Sequence, residues 1–337
     1  MSQTILISGA SGFIASHVIR LFLESGFKVR GTVRSEVSAK IVRETHAEYA
    51  DALSFAFVKD ISAPGAFDEA VKGVDGVIHT ASPFILDAED YDKELFNPAV
   101  NGTVSILKAV KEHNPSVKRI VVTSSFGAIL DYTAGHQPGY IYTEADWNPM
   151  TANEAHGADP VAAYLVSKTL AEKAAFEFVE TQKPSFSIVT VAPPLVYGPL
   201  LHGYESMSKL NTSSADIYRL FNGSSKEVPD TVFWACVDVR DVAKAHLLAY
   251  QTPTAANQRY IISAGSFSYQ IFCNIIRARF PELVATTPED KSSLPFPDVY
   301  KLDTTKAKNE LGIAFRPIKE TLMDTVTSLK ELEKITA

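Results

Sequence analysis

Cysteine is scarce in this chain: two residues, Cys236 and Cys273, stand far apart among 337. Without a paired spacing they build neither a disulfide framework nor a zinc site, and they suit a reducing compartment. The start has no charged stretch leading into an apolar one; it runs almost at once into Thr4-Ile5-Leu6-Ile7-Ser8. No uninterrupted apolar run approaches the roughly 18 residues of a membrane span. The expectation is a cytoplasmic protein with neither secretory signal nor transmembrane helix. Basic charge is also in short supply, since 32 Lys and Arg face 39 Asp and Glu. A net charge of −7 and a pI near 5.7 leave no basic footprint for nucleic acid or an anionic membrane. Nothing repeats at a fixed period, and no segment is low in complexity, so a solenoid is excluded.

What is present is ordinary globular material, 46% apolar and 21% charged, long enough for two compact domains or one with a large appendage. Short apolar runs rich in Val and Ile occur at Thr4–Ser8, Lys28–Val33, Ser54–Val58, Gly76–Thr80, Arg119–Ser124 and Ser187–Ala192. Several are nearly continuous, as strands covered on both faces should be. Helical patterns fill the gaps at 13–25, 36–48, 65–73, 91–114 and 160–182. This alternation predicts an α/β fold with a doubly wound parallel sheet of the Rossmann type. After Ala192 the rhythm changes: Ala192-Pro193-Pro194 and Tyr197-Gly198-Pro199 break regular structure, and the chain reads as irregular to about residue 237. The prediction is a nucleotide-binding domain over 1–192, with 238–263 returning to it through a helix at Asp238–Tyr250. Residues 193–337 would mainly form a smaller substrate-binding part over the sheet's carboxyl edge, where such sheets bind ligands.

The first predicted strand runs into Gly9-Ala10-Ser11-Gly12-Phe13-Ile14-Ala15, and a helical pattern follows. Gly9 permits a tight turn, Gly12 lets backbone approach a pyrophosphate, and a small residue at 15 lets helix and strand pack closely. The helix N-terminus offers unpaired N–H groups and a positive dipole end. At the end of the second strand, where a carboxylate would hold the ribose 2′-hydroxyl of NAD, the chain reads Arg34-Ser35. Arg34 can grip the 2′-phosphate of NADP through its fork, and Ser35 can donate another hydrogen bond. Asp60, just past the third strand, is placed to meet an adenine; an ordinary turn aspartate is the competing reading.

Tyr164-Leu165-Val166-Ser167-Lys168 sets a phenol and an ammonium on one helix face. A free tyrosine has a pKa of about 10, too high for a ready proton source at neutral pH, and a neighbouring ammonium favours its ionised form. Upstream, Arg119–Ser124 ends in two hydroxyls, and Ser125 can hydrogen-bond a carbonyl oxygen as hydride arrives. A glycine-rich first turn, a strand-end serine and a Tyr-x-x-x-Lys helix together point to reduction of a carbonyl.

These residues, with His79-Thr80-Ala81-Ser82-Pro83-Phe84, Pro98-Ala99-Val100-Asn101-Gly102-Thr103 and Asp238-Val239-Arg240-Asp241-Val242-Ala243-Lys244-Ala245-His246, resemble the extended short-chain dehydrogenase/reductase superfamily. Within it the chain is similar to the dihydroflavonol-reductase-like branch and its fungal NADPH-dependent methylglyoxal and aldehyde reductases. The resemblance covers nearly the whole chain. It implies catalysis by Ser125, Tyr164 and Lys168, with Tyr164 and Lys168 also touching the cofactor, NADP(H). It further implies cofactor contacts from Gly9, Ala10, Ser11, Gly12, Phe13, Ile14, Arg34, Asp60, Ile61, Ala81, Pro193, Val196 and Ser213. The same likeness implies a substrate pocket lined by Phe84, Phe126, Leu130, Val161, Leu195, Phe233 and Trp234. A small carbonyl compound would be the only partner, with no nucleic acid, membrane or metal, and the protein would be a monomer or homodimer. The chain departs from the pattern at Ser38, where relatives often carry Lys, at Ala15 in place of a third glycine, and at Ala99, where an active-site Asn is common.

Two other functions stay open from sequence. One is a nucleotide-sugar epimerase or dehydratase that retains NAD, against which Arg34 and the apolar pocket count. The other is a non-catalytic dinucleotide sensor, for which the Ser/Tyr/Lys set would be superfluous.

Overall fold

The computed structural model describes residues 2–83, 88–201, 206–289 and 296–336. Its strands, in chain order, are β1 (Thr4–Ser8), β2 (Lys28–Val33), β3 (Leu53–Phe57), β4 (Gly76–His79), β5 (Arg119–Thr123), β6 (Ile141–Tyr142), β7 (Ser187–Ala192), β8 (Leu195–Tyr197), β9 (Ala235–Asp238), β10 (Gln258–Ile261), β11 (Gly265–Ser266) and β12 (Lys301–Leu302). The helices are α1 (Phe13–Glu24), α2 (Glu36–Thr45), α3 (Asn97–His113), α4 (Ala152–Ala155), α5 (Pro160–Gln182), α6 (Thr212–Tyr218), α7 (Val239–Gln251), α8 (Tyr269–Arg279) and α9 (Ile318–Thr336).

Seven strands form one sheet in the order β10-β7-β5-β4-β1-β2-β3, and every pairing within it is parallel. The apolar runs become central strands because both faces are covered. Ile5, Ile7, Ile78 and Val121 join the core shared with α1 and α7, while Leu6, Val77, Ile120 and Val122 join the opposite core with α3 and α5. The chain winds outward from β1 to β3, then restarts at β4 and winds the other way. The carboxyl ends of β1 and β4 therefore diverge into a crevice, the position where open α/β sheets hold ligands.

The returning segment contributes α7, which packs on α1, and β10, a seventh strand paired with β7. Three readings are corrected. Residues 65–73 do not form a helix but close as isolated turns, because Gly65 (φ +72°) and Gly73 (φ +70°) take left-handed backbone at either end. The stretch to 237 is less irregular than expected: β8 and β9 pair in parallel and α6 lies between them. These strands are too short for a sequence period to register. Finally, the helix over 91–114 opens as a π-turn at Asp92–Phe96 before α3.

Beyond the sheet, a C-terminal core unites Tyr197, Ile217, Phe267, Phe272 and Leu322. Both cysteines are buried within it as thiols. Among the described residues no helix is long and apolar enough to cross a membrane.

Candidate active site

The crevice begins at the turn after β1. Gly9 has φ +66°, and a Cβ there would lie 3.1 Å from both Cα and Cβ of Ala81, so glycine is required on two counts. Its amide donates to Thr32 Oγ1 at 3.1 Å, and that of Ala10 to the Thr32 carbonyl at 2.9 Å, which pins the turn to β2. Gly12 is the N-cap of α1, with no side-chain cap and no acid in the first turn. The α1 terminus thus keeps the positive end that a pyrophosphate needs.

A clamp that sequence reasoning missed holds this turn against the end of β4. Ser8 Oγ accepts the amides of Thr80 and Ala81 at 3.0 Å each and bonds His79 Nδ1 at 2.9 Å. With two N–H groups already on its oxygen, Ser8 donates its proton to His79, so the imidazole is neutral with its hydrogen on Nε2. Burial, and then the Lys168 charge, hold the His79 pKa down to about 3. Ser8 ends β1 and His79 ends β4, but their pairing spans 71 residues and leaves no local trace.

At the far end of the crevice Arg34 stands exposed beyond β2. Ser35 caps α2: its Oγ accepts the Ser38 amide at 3.3 Å and bonds Ser38 Oγ at 3.2 Å. Part of its expected role is therefore local. Asp60 behaves similarly, its carboxylate accepting both the amide and the hydroxyl of Ser62 at 2.8 and 2.7 Å. Those bonds lower its pKa. Ile61 packs against α3 at Gly102, where an added Cβ would meet its Cδ1 at 2.8 Å.

The reactive end is built from β5 and α5. Asp159 caps α5 by accepting the Ala162 amide at 2.9 Å, and Pro160 fills the first helical position. The cap fixes the register in which Tyr164 and Lys168 share a face, with the Lys168 Nζ 5.6 Å from the centre of the Tyr164 ring. Ser125 begins the turn after β5 and accepts the Gly127 amide at 3.0 Å. That turn lies directly on α5, because a Cβ at Gly127 would fall 2.4 Å from Leu165 Cδ2 and 3.5 Å from Leu165 Cα. Ser125 is thereby brought to the helix turn that carries Tyr164. The Phe126 amide donates to the Pro193 carbonyl at 2.8 Å, tying Pro193 into the same corner. Burial raises the Tyr164 phenol above its ordinary pKa and lowers Lys168 to about 8. Burial is the cause in both groups.

Of the expected pocket residues, Phe126, Leu130 and Trp234 form one buried cluster, with Val161, Phe233 and Tyr164 half-buried against it. Tyr132, absent from the sequence reading, stacks on Phe233 with ring centres 5.9 Å apart. Leu195 is half-buried against the C-terminal core. Val196 belongs to the α1 side of the sheet, and Ser213 is half-buried in the first turn of α6. Phe84 lies outside the described residues.

The model of the NAD dependent epimerase/dehydratase family matches this chain over residues 5–265, a span that holds both the Gly9 turn and the Ser125, Tyr164 and Lys168 corner. This chain belongs to that family. Among its members the chain is 37% identical to the NADPH-dependent methylglyoxal reductase of Saccharomyces cerevisiae, covering 98% of this chain and 99% of the relative. It is 36% identical to a ketoreductase of Aspergillus niger, over 98% of each chain. A crystal structure of a family member, the yeast methylglyoxal/isovaleraldehyde reductase complexed with NADPH, superposes with a TM-score of 0.92 at 36% identity, covering 98% and 99% of the two chains.

Proposed function

We propose that this protein is an NADPH-dependent carbonyl reductase that converts small aldehydes and ketones to alcohols, with Ser125, Tyr164 and Lys168 at the reacting carbonyl. The observation that carries the reading is the position of the Lys168 ammonium over the Tyr164 ring, on the helix turn against which Ser125 is packed. The residues present fit NADPH. The Gly9 turn admits backbone only, the α1 terminus is free of acid, and Arg34 reaches solvent where a 2′-phosphate would sit.

When bound, that cofactor supplies hydride. The protein does the rest. The Ser125 hydroxyl and the Tyr164 phenol converge on a carbonyl oxygen, polarise it and stabilise the charge that develops there. Tyr164 gives up its proton to that oxygen, and the adjacent Lys168 ammonium stabilises the phenolate left behind. The Phe126, Leu130 and Trp234 cluster excludes water and orients the carbonyl's substituents. Its apolar character argues against the epimerase alternative, since a sugar diphosphate calls for basic side chains.

The test is a comparison of NADPH and NADH oxidation rates across a panel of aldehydes and ketones, methylglyoxal and aryl ketones included. Carbonyl-dependent oxidation favouring NADPH is expected. Tightly retained NAD with no carbonyl turnover would refute the proposal.

A further inference from the structure

Glu172 sits on α5 one helical turn beyond Lys168 and two beyond Tyr164, with its carboxyl sealed inside the protein: its side chain is 1% exposed. Four donors surround it. Ser124 Oγ donates to Oε2 and Thr190 Oγ1 to Oε1, each at 2.6 Å. Arg259 donates from Nε to Oε1 at 2.9 Å and from Nη2 to Oε2 at 3.3 Å. The guanidinium is used up in turn. Its Nη1 donates to the carbonyls of Glu144 and Asp146 at 2.7 and 2.8 Å, and its Cζ lies 3.6 Å from the Trp147 ring centre.

One buried ion pair thus gathers α5, β7, β10, the 144–147 segment and the residue directly after β5. Stability alone is a poor reason for such an arrangement, because well-packed apolar residues in place of a buried ion pair are often as stable or more so. What the charges add is direction. Short bonds to a carboxylate fix hydroxyls that could otherwise rotate, and one of those hydroxyls belongs to the neighbour of Ser125.

We infer that Glu172, held by Arg259, is a positioning residue that sets the spacing between the Ser125 hydroxyl and the Tyr164–Lys168 face of α5. Its hold on β5 runs through Ser124; its hold on α5 is covalent, through the helix itself. The role rests on the reading that Ser125, Tyr164 and Lys168 act on a carbonyl. A misplacement of about 1 Å between such groups costs roughly 100-fold in rate, so even partial slackening is measurable.

Glu172→Gln would leave Arg259 short of its counter-charge and endanger folding, so the test uses the two hydroxyls. Ser124→Ala and Thr190→Val each delete one 2.6 Å bond to the same carboxylate, but only Ser124 adjoins Ser125. Both purified proteins are assayed for carbonyl reduction, with kcat counted per NADPH-binding site measured by fluorescence titration. Ser124→Ala should lower kcat about tenfold or more with the NADPH Kd unchanged, while Thr190→Val stays within about twofold of the wild type. Equal losses in the two variants would mean a merely structural contact and overturn the inference, as would a wild-type kcat in Ser124→Ala. Tyr164→Phe run alongside separates the two levels. If it turned over like the wild type, the underlying reading would fall and take the inference with it; if it is inactive while Ser124→Ala is fully active, only the positioning role falls.

Discussion

The two ends of the crevice are built on opposite principles. At the reactive end Lys168 is buried, its pKa is displaced, and Tyr164 is half-buried between two apolar clusters. At the other end Arg34 and Ser35 are exposed, held by little beyond the α2 cap. Burial makes proton affinities depend on the fold, so chemistry is concentrated where solvent is excluded. On the proposed function, recognition of a phosphate needs only a charge at the right place, which the solvated Arg34 would supply. The contrast implies that the reactive end tolerates no replacement, whereas the exposed end is adjustable.

Substitution at the buried end should give the largest effect. Tyr164→Phe keeps the ring and its packing but has no proton to give, so kcat should fall by about 10²- to 10⁴-fold while NADPH still binds. Stopped-flow or steady-state NADPH oxidation measures it, and an intact kcat would erase the distinction between the ends. Arg34→Ala should act on affinity instead, raising the KM for NADPH by about tenfold or more and leaving that for NADH nearly unchanged. A parallel rise for both cofactors would show that Arg34 does not read the 2′-phosphate.

The smallest effect is a pH dependence. Lys168 carries its charge below about 8 and loses it above. On the proposed mechanism, kcat/KM should be level near pH 7 and decline above about 8. Stability has the opposite sign for this group. The unfolded chain holds that proton to about 10.4 while the folded protein releases it near 8, so this lysine favours folding increasingly as pH rises between those values. Thermal denaturation at pH 9 therefore tells a titration of the site from loss of structure.

Much of the frame was legible in the sequence because it is local. Parallel strands announce themselves as continuous Val and Ile runs, and Asp159-Pro160 marks the start of α5 with a cap and a first-turn proline. Gly9, Ser125, Tyr164 and Lys168 follow from strand ends and helix spacing. The Ser8–His79 clamp and the Glu172–Arg259 pair were not legible, since their partners lie 71 and 87 residues apart and only the folded sheet brings them together. The small sheet of β8, β9 and β11 escaped for a different reason. Its strands have two to four residues, and tertiary contacts, not periodicity, decide their conformation. Residues 65–73 misled because an apolar spacing suited to a helix is overruled by a left-handed glycine at each end.

The sealed sulfurs of Cys236 and Cys273 have a chemical consequence for a protein proposed to handle electrophiles. A thiolate adds readily to an aldehyde carbonyl to give a hemithioacetal, and burial keeps the Cys236 thiol protonated well above its ordinary range. An electrophile entering the crevice meets hydroxyls and an ammonium, while the nucleophiles most open to covalent damage stay out of its reach. On the proposed function, turnover would then leave these two sulfurs unmodified.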